Sequence, residues 1–569
     1  MFRGSLANAN ALPQMVLLGV AVGIVTAGVI LLFRLLVEQG GATLLGLEDI
    51  EHMESLSIGW RFVVCLAGAA LLAVLLRRYS PSARRVGVVH VMERLSRHQG
   101  YLPLRNAVIQ FFGAAIALIS GQSGGREGPA IHLGATAASL MGQQFHLPNN
   151  SIRTMVACGT AAAIASSFNT PIAGVIFAME VVMMEYTVSS FMPVIVAAVC
   201  STLITQMVFG NAPAFTVAEV AMNSYMELSY LVLAGLLIGS LAAGYNQLIQ
   251  RFARYSERPF WIRMLAAGCL TAAFAAFLPQ VMGVGYDTVN AIMQDQMPLV
   301  VVALLLMAKM LTSAATVGLG MPVGLIGPTM FIGACFGGAF GAVLSQLHGP
   351  EISVGFYVIL GMCAMMAAVL QAPLAALMAV LELTANTSII LPAMVIIVVA
   401  TMVCSHVFKQ RSVYIATLNT LGLQYPPNPV TLHLQRMGAT AVMDRSFARV
   451  APVISQAEAQ ALVASAPNWI LVDNTEQSAV RAALNPSDLA AFLDDRGATE
   501  EEIYLLELPG QRLDVTSVDT QATLFEVQQA LEDAQAEACC VHRTTAPLIK
   551  PVVGIVTRSH LENYRNVLE

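Results

Sequence analysis

Long apolar runs occupy the chain as far as about residue 408 and constrain its fold more than any other feature. Hydrophobic residues make up 56% of the 569 residues and charged residues only 11%, whereas soluble domains carry about a quarter charged residues. A run of more than ~18 apolar residues is long enough to cross a bilayer as a helix. The sequence predicts an all-α polytopic membrane domain containing the apolar runs Leu12–Leu36, Phe62–Leu76, Leu231–Ala243, Leu299–Leu311 and Ile389–Val407.

The composition changes after Phe408, where the proline-rich stretch Tyr425-Pro-Pro-Asn-Pro-Val430 leads into an ordinary soluble sequence. We expect a membrane domain over 1–425, a linker over 426–436 and a small α/β domain over 437–569. The mild net charge of −6 gives no reason to expect a nucleic-acid partner. The nine cysteines lack metal-type spacing, so no metal site is predicted.

Charge placement orients the membrane domain. Seven arginines lie between Arg77 and Arg105, four more lie between Arg251 and Arg263, and acidic residues dominate the loop from Glu48 to Glu54. Basic loops stay on the cytoplasmic side of a membrane. We therefore expect a multi-pass protein of the cell inner membrane with a cytoplasmic C-terminal domain.

The membrane domain contains an internal repeat. The segment Gly125-Arg-Glu-Gly-Pro129 matches Gly324-Leu-Ile-Gly-Pro328, 199 residues further on. The segment Thr170-Pro through Glu180 matches Ala372-Pro through Glu382 at an offset of 202 residues. Duplicated halves with glycine-broken apolar segments are typical of transporters, with the site between the halves. The sequence alone leaves open whether the repeat is parallel or inverted.

Both glycine loops have the chemistry of an anion site. Proline fits the first turn of a helix, so Pro129 and Pro328 predict helices that begin inside the membrane. Such a helix start directs free N–H groups and a positive dipole end at an anion. Glu127 is then a carboxylate that competes with a permeating anion until it is protonated. The alternatives are a structural pair of Arg126 and Glu127 beside a kink, and a packing kink at the second loop.

These motifs resemble those of the CLC family of chloride channels and chloride/proton exchangers. Gly125-Arg-Glu-Gly-Pro129 is identical to the family's most specific motif, and Gly324-Leu-Ile-Gly-Pro328 resembles its second anion-binding loop. Phe168-Asn-Thr-Pro171 and Ser412-Val-Tyr414 resemble two further family stretches. The resemblance implies an inverted repeat with broken helices and a homodimer with one pore per subunit.

The resemblance also implies roles for individual residues. Glu127 is expected to be the gating and proton-accepting glutamate, and the Tyr414 hydroxyl is expected to donate to the central anion. From sequence position alone, Tyr414 is an interfacial tyrosine. The remaining residues expected to line the anion site, largely through backbone N–H groups, are Gly324, Leu325, Ile326, Arg126, Gly128, Val86 and Gly87.

Two positions depart from the family pattern. Val86 stands where the family has an anion-coordinating serine, so the inner anion site lacks a hydroxyl donor and the choice of anion is left open. Val181 stands where exchangers commonly carry an internal proton-accepting glutamate. Glu180 and Glu185 are the nearby substitutes for that role, and Glu180 also has a structural interpretation because its repeat mate Glu382 holds the equivalent place.

The C-terminal domain contains two similar units, Val442–Leu493 and Leu513–Leu561. Gly554-Ile-Val-Thr557 with its following residues resembles the end of a CBS motif, and Asn485-Pro-Ser-Asp488 resembles the same stretch in the first unit. This resemblance implies a tandem CBS pair in which Asp488, Asn485 and Thr557 are candidate nucleotide contacts. His560 departs from the expected aspartate. The alternatives are ATP or AMP binding and a purely dimerising role.

The sequence thus favours a passive chloride channel gated by Glu127, mainly because of Val181. The alternative is a chloride/proton antiporter with a non-standard internal proton route. An intramembrane enzyme or an ion-sensing receptor is a remote third possibility, since no catalytic motif is present. We expect no enzymatic activity and no required cofactor. The expected partners are chloride, protons, lipid, a second copy of the chain and an adenine nucleotide.

Overall fold

The structure is a computed structural model. It describes residues 12–211, 215, 222, 226–349, 352–420, 422, 429–473, 480–496, 502–543 and 551–566. These residues divide into two compact units. One comprises the described residues of 15–144 and 152–422, and the other comprises those of 12–14, 145–151 and 429–566.

The first unit is entirely helical and is built as two consecutive sets of helices. The first set is α1 Leu12–Leu35, α2 Gly41–Leu45, α3 Ile58–Leu76, α4 Gly87–Arg97, α5 Leu104–Ile119, α6 Glu127–Gln144, α7 Asn149–Phe168, α8 Pro171–Phe177 and α9 Val188–Phe209. The second set is α10 Glu227–Ala253, α11 Phe260–Phe277, α12 Tyr286–Met293, α13 Leu299–Gly318, α14 Ile326–His348, α15 Val354–Leu370, α16 Pro373–Thr384, α17 Ile390–Met402 and α18 Val413–Thr420. Three π-helical turns interrupt them, at Leu36–Gly40, Ala178–Met183 and Val403–Val407.

Eight of the described helical segments are long and apolar enough to cross a membrane. Between 28% and 56% of their most apolar windows is buried within the protein, so large apolar side chains such as Leu17, Trp60 and Phe277 remain exposed. Apolar surface on this scale is stable only against lipid. The predicted all-α polytopic membrane fold is therefore confirmed.

The same close helix crossing is built once in each set. A Cβ added to Gly134 of α6 would lie 2.3 Å from the carbonyl oxygen of Gly159 in α7, and a Cβ on Gly333 of α14 would lie 2.3 Å from that of Gly361 in α15. Small residues that let backbones touch are the usual helix contact in membranes. These two glycine pairs have the same sequence offsets as the repeated motifs, so the sequence repeat is also a repeat of packing.

The second unit contains a six-stranded sheet with the order β1-β3-β4-β6-β7-β8. Its elements are α19 Pro429–Arg436, α20 Ala439–Val442, β1 Phe447–Val450, β2 Val453–Ser455, α21 Gln456–Ala464, β3 Trp469–Asp473, β4 Val480–Leu484, α22 Pro486–Arg496, β5 Glu502–Tyr504, β6 Arg512–Asp519, α23 Leu524–Asp533, β7 Ala538–His542, β8 Val552–Thr557 and α24 Arg558–Asn566. A small antiparallel ladder joins β2 and β5.

The sheet of the second unit is itself duplicated. In the first half, β1 and β3 are parallel, and β4 pairs antiparallel with β3. In the second half, β6 and β7 are parallel, and β8 pairs antiparallel with β7. The helix inside each half, α21 or α23, begins with a capping box, Ser455 with Glu458 and Thr523 with Glu526. Since both halves fold alike, the predicted small α/β domain of two similar units is present.

Candidate functional site

The two glycine loops that the sequence singled out meet in the middle of the first unit. Gly125 and Gly324 form an antiparallel bridge in which each backbone N–H donates to the other's carbonyl oxygen, at 2.7 and 2.6 Å. Helix α6 begins two residues after Gly125 and α14 begins two residues after Gly324. The starts of both broken helices are therefore brought together, as their repeated sequence predicts.

The Glu127 side chain lies across this junction and is fully buried. The backbone N–H of Gly327, in the first turn of α14, donates to its carboxylate. A Cβ added to Gly125 would lie 1.8 Å from Oε2 of Glu127, so only glycine leaves room for the carboxylate there. The carboxylate of the first repeat thus occupies the helix start of the second repeat, which is an electrostatically favourable place for any anion.

Tyr286 and Glu38, which the sequence did not indicate, complete the surroundings of Glu127 and Arg126. The Tyr286 hydroxyl, at the start of α12, donates to Oε1 of Glu127 at 3.4 Å. Arg126 does not pair with its neighbour Glu127 but with Glu38, which also accepts from Arg34 at 3.1 Å. The predicted alternative of a structural Arg126–Glu127 pair is therefore absent from the described contacts, and Arg126 is held by α1 and the π turn that follows it.

One cavity of about 570 Å³, here called the acidic cavity, lies on the Arg126 side of Glu127. Glu51, in the loop between α2 and α3, lies in this cavity, and burial raises the pKa of its carboxyl to about 7 against the opposing effect of Arg126. Its charged and polar lining includes Arg34, Glu38, Glu48, Asp49, Glu51, Arg126, Tyr286 and Asp287.

A second cavity of about 640 Å³, here called the basic cavity, lies on the Gly128 side. Of the residues predicted to hold the anion, it brings together Val86, Gly87, Gly128, Gly324, Leu325 and Tyr414. Arginines line it, namely Arg84, Arg85, Arg258 and Arg263. Arg126 lines the acidic cavity, and Gly128 lines the basic cavity. Glu127 therefore stands between a residue that lines one cavity and a residue that lines the other.

The structure also shows the burial or the backbone position of the other residues that were predicted to hold the anion. Tyr414, in α18, is buried with 4% of its surface exposed. Val86 is extended and precedes α4, which begins at Gly87 with φ +77°, a conformation that favours glycine. Ile326 is the first residue of α14. The start of α4 therefore presents backbone N–H groups, without the hydroxyl that a serine would add.

Glu180 and its repeat mate Glu382 form a reciprocal pair of helix caps. The Glu180 carboxylate accepts from the N–H groups of Leu374 and Ala375, at the start of α16, at 3.3 and 2.8 Å. The Glu382 carboxylate accepts from Ile172 and Ala173 at the start of α8, at 2.9 and 2.7 Å. Val181 is buried beside Glu180 in the π turn. Glu180 is thus engaged in capping, in agreement with its structural interpretation.

In the second unit the nucleotide candidates are held by local hydrogen bonds. Asp488 accepts from the backbone N–H of Gln511 at 3.2 Å, and Asn485 accepts from that of Ser487 at 3.1 Å. The Thr557 hydroxyl lies 2.8 Å from that of Ser559, and the Thr557 N–H donates to His560 Nδ1 at 3.3 Å. In the second half, His560 accepts from the Thr557 N–H at the position where the resemblance to a CBS motif leads us to expect an aspartate.

A duplicated helical membrane fold, with broken helices that meet at a buried carboxylate between two cavities, defines a protein that moves small anions across a bilayer. Residues 68–405 match the voltage gated chloride channel family. The match covers more than half of the chain, and the protein belongs to this family, the CLC family. Its members are channels and transporters rather than enzymes, so the predicted anion transport is confirmed at this level.

Several relatives share most of their length with this chain. A protein of Ralstonia nicotianae, named as a ClcB-like chloride channel, is 32% identical over 63% of this chain and 85% of its own. An H(+)/Cl(-) exchange transporter ClcA of Vibrio cholerae is 27% identical over 56% of this chain and 71% of its own.

Two solved structures share the fold. A slow cyanobacterial Cl-/H+ antiporter has a TM-score of 0.62 at 22% identity and covers 73% of this chain and 98% of its own. A eukaryotic CLC transporter has a TM-score of 0.59 at 18% identity and covers 96% of this chain and 97% of its own. The second match extends over the C-terminal unit as well as the membrane unit.

Proposed function

We propose that the protein is a homodimeric chloride/proton exchanger of the cell inner membrane. The observation that carries the proposal is the Glu127 carboxylate at the start of α14, where it accepts from the Gly327 N–H. A titratable group that occupies the anion's own place links proton binding to anion binding, because protonation removes the competitor. Relatives named as H(+)/Cl(-) exchange transporters, at 26–27% identity, support the same function.

In this mechanism chloride and the Glu127 carboxylate alternate at one site. When Glu127 is deprotonated, its carboxylate takes the N–H groups at the start of α14. When it is protonated, chloride binds these N–H groups between Gly324 and Ile326, with the Tyr414 hydroxyl as a further donor. Neutral dipoles suit a transported ion because a fixed cation would hold chloride too tightly for release. The Tyr286 hydroxyl donates to Oε1 and orients the carboxyl.

The two cavities provide the two sides of the pathway. Four arginines line the basic cavity, and the positive-inside rule assigns it to the cytoplasm, together with the C-terminal unit. The acidic cavity then opens outward. The positive potential of the basic cavity raises the local chloride concentration at the cytoplasmic mouth.

A passive chloride channel is the second candidate. It is favoured by Val181, which cannot accept a proton, and by the capping of Leu374 and Ala375 that occupies Glu180. The relative named as a ClcB-like chloride channel supports this reading as well. The exchanger is preferred because the junction couples a proton acceptor directly to the anion site, and because several relatives are named as exchangers.

The two candidates predict different proton movements in liposomes. Purified protein is reconstituted in vesicles with high chloride inside, low chloride outside and equal pH, and potassium with valinomycin carries the compensating charge. We expect chloride efflux to drive protons into the vesicles and so make the vesicle interior more acidic than the outside, measured with a pH electrode beside a chloride electrode. Chloride efflux without proton uptake by the unmodified protein would make the channel correct.

Glu127→Gln is the matched control in this assay. The amide mimics the protonated carboxyl in shape and charge but transfers no proton. We expect chloride efflux to persist and chloride-driven proton uptake to be lost. Proton uptake that continues in Glu127→Gln would remove Glu127 from the mechanism.

For the C-terminal unit we propose a tandem CBS pair that binds an adenine nucleotide through Asp488. The duplicated sheet, with one capping box in each half, supports a pair of equivalent motifs. The presence of His560 in place of an aspartate in the second half favours one nucleotide per pair.

A further inference from the structure

Two buried histidines form a hydrogen-bonded pair beside the basic cavity. Nδ1 of His90, in α4, lies 2.8 Å from Nε2 of His132, in α6, and their rings stack with centroids 5.1 Å apart. His90 is 5% exposed and lines the basic cavity, whereas His132 is fully buried. One end of the pair therefore meets the cavity and the other end lies inside the protein.

The inner end of the pair carries an unsatisfied atom. Nδ1 of His132 is buried and has no hydrogen-bond partner among the described residues. A buried polar atom without a partner is costly, so a structural role alone leaves it unexplained. An imidazole nitrogen in this position can hand a proton onward or bind a water that does so.

His132 and Glu127 lie on the same helix, α6. His132 lies five residues after Glu127, a rise of about 7.5 Å along the helix. Gly128 lies four residues before His132, on the same face of α6, and lines the basic cavity. A Cβ added to Gly128 would lie 2.8 Å from Cα of Gly324, so the backbone of the second glycine loop packs against this face of α6.

The charged groups near the pair are engaged elsewhere. Glu93 pairs with Arg85, and Arg94 donates to the Tyr101 carbonyl oxygen at 2.5 Å. Three further elements pack against α4, and they contribute Glu127 from α6, Tyr414 from α18 and Glu180 from the π turn. His98 lies further along α4, and Arg84, Arg258 and Arg263 line the same cavity.

No described carboxylate contacts either imidazole. A proton on the pair is consequently not trapped in an ion pair, which suits a relay better than a fixed charge.

We propose that His90 and His132 are the cytoplasmic proton station of the exchanger, in place of the carboxyl that Val181 lacks. His90 accepts a proton at Nε2 from water in the basic cavity and releases the proton on Nδ1 to Nε2 of His132. His132 then releases its Nδ1 proton through water to the Glu127 carboxylate. Each imidazole gains one proton and loses one, and reversal of the tautomers resets the pair.

The test uses the liposome assay on the full chain, with each histidine replaced by glutamine. Glutamine keeps a hydrogen bond between α4 and α6 but does not titrate. We expect chloride-driven proton uptake to fall at least tenfold in His90→Gln and in His132→Gln, while chloride efflux persists as in Glu127→Gln. His98→Gln, on the exposed end of the same helix, is the matched control and should retain both fluxes.

A second variant separates a relay from a structural contact. His90→Glu restores a titratable group at the cavity and should recover proton uptake. Proton uptake that stays intact in both glutamine variants would overturn the inference and leave the exchanger standing. Proton and chloride fluxes that fall together, without rescue by His90→Glu, would reduce the pair to a structural contact. The inference rests on the proposed exchange, so unmodified protein that moves no protons would overturn both.

Discussion

At the scale of single residues, the contact between the two glycine loops depends on the absence of side chains at the glycines as much as on the side chains around them. Gly125 and Gly324 bring the backbones of the two repeats into hydrogen-bond contact and leave room for the Glu127 carboxylate. Around this junction Glu38 holds Arg126, and Tyr286 holds Glu127. The two charged side chains of the motif are thereby given separate partners, so Glu127 is not paired with Arg126.

Lys309 is a further residue with a positioning role. It is fully buried in α13, and its Nζ donates to the carbonyl oxygens of Val281 and Gly283 at 3.1 and 2.8 Å. These carbonyls belong to the loop that leads into Tyr286. A lone lysine in an otherwise apolar helix was the signal that could have identified it from sequence.

Glu51 provides a residue-scale prediction about external pH. Because its pKa is raised to about 7, its carboxyl is charged above neutral pH and loses that charge as the external pH falls through 7. Removal of one negative charge from the entrance should raise chloride entry about twofold at low ionic strength, the size of an unscreened Coulomb interaction in water over ~10 Å. We expect this twofold step in Glu127→Gln, where the gate no longer titrates, measured as chloride flux between external pH 8 and 6.

The step should vanish in the double variant Glu127→Gln/Glu51→Gln. Glu48→Gln, made in the same Glu127→Gln background, is the charge-matched control, since it removes a carboxylate from the same cavity and leaves Glu51 to titrate. A pH step of unchanged size in the double variant would assign it to another group.

At the scale of elements, the repeat is visible in contacts that no single motif predicts. The Glu180 and Glu382 carboxylates each cap the short helix of the other repeat, and glycine pairs make the same crossing in each half. Carboxylates at helix starts stabilise by about 0.3–1 kcal/mol each. The π turn Ala178–Met183 changes the direction of side chains at the end of α8, so Glu180 and Val181 do not follow ideal α-helical spacing.

Gly333→Ala tests the helix crossing. The added methyl group would lie 2.3 Å from the Gly361 carbonyl oxygen, so α14 and α15 must separate. We expect a loss of stability of about 1–3 kcal/mol, the usual cost of overpacking, seen as a lower Tm of the purified protein in detergent. Gly244→Ala in α10 is the control, because a Cβ there meets no atom within 4 Å. Equal Tm values for the two variants would contradict the role of the crossing.

At the scale of the whole molecule, two units of different chemistry share one chain. The first exposes apolar surface to lipid, and the second buries small apolar clusters between a duplicated sheet and its helices. Exchange activity is proposed for the first unit and nucleotide binding for the second. The two properties are therefore open to separate tests in the full-length protein.

The nucleotide proposal predicts saturable ATP or AMP binding by the full-length protein, measured by equilibrium dialysis. Hydrogen bonds to a charged group contribute about 1.5–3 kcal/mol, so loss of the Asp488 carboxylate should weaken binding at least tenfold. Asp533→Ala, at the exposed end of α23, should bind as the unmodified protein does. Absence of binding at millimolar nucleotide would leave the second unit as a dimerising scaffold.

The amino-acid sequence determined the class of this protein because its strongest signals are local. Apolar runs predicted the spanning helices, and the glycine-proline loops predicted helix starts at Glu127 and Ile326, since both depend on residues adjacent in the chain. The repeat offset predicted that the two loops are equivalent. The change of composition after Phe408 and the two similar units Val442–Leu493 and Leu513–Leu561 predicted an α/β unit for the same reason.

Tertiary structure alone decided how these parts meet. The Arg126 contact with Glu38, the Tyr286 contact with Glu127 and the His90 contact with His132 join residues 88, 159 and 42 positions apart. A single sequence carries no signal for such pairs, because any of many buried polar residues could serve as partner. Burial makes each unsatisfied polar atom costly, and only the folded chain fixes which partners lie within reach.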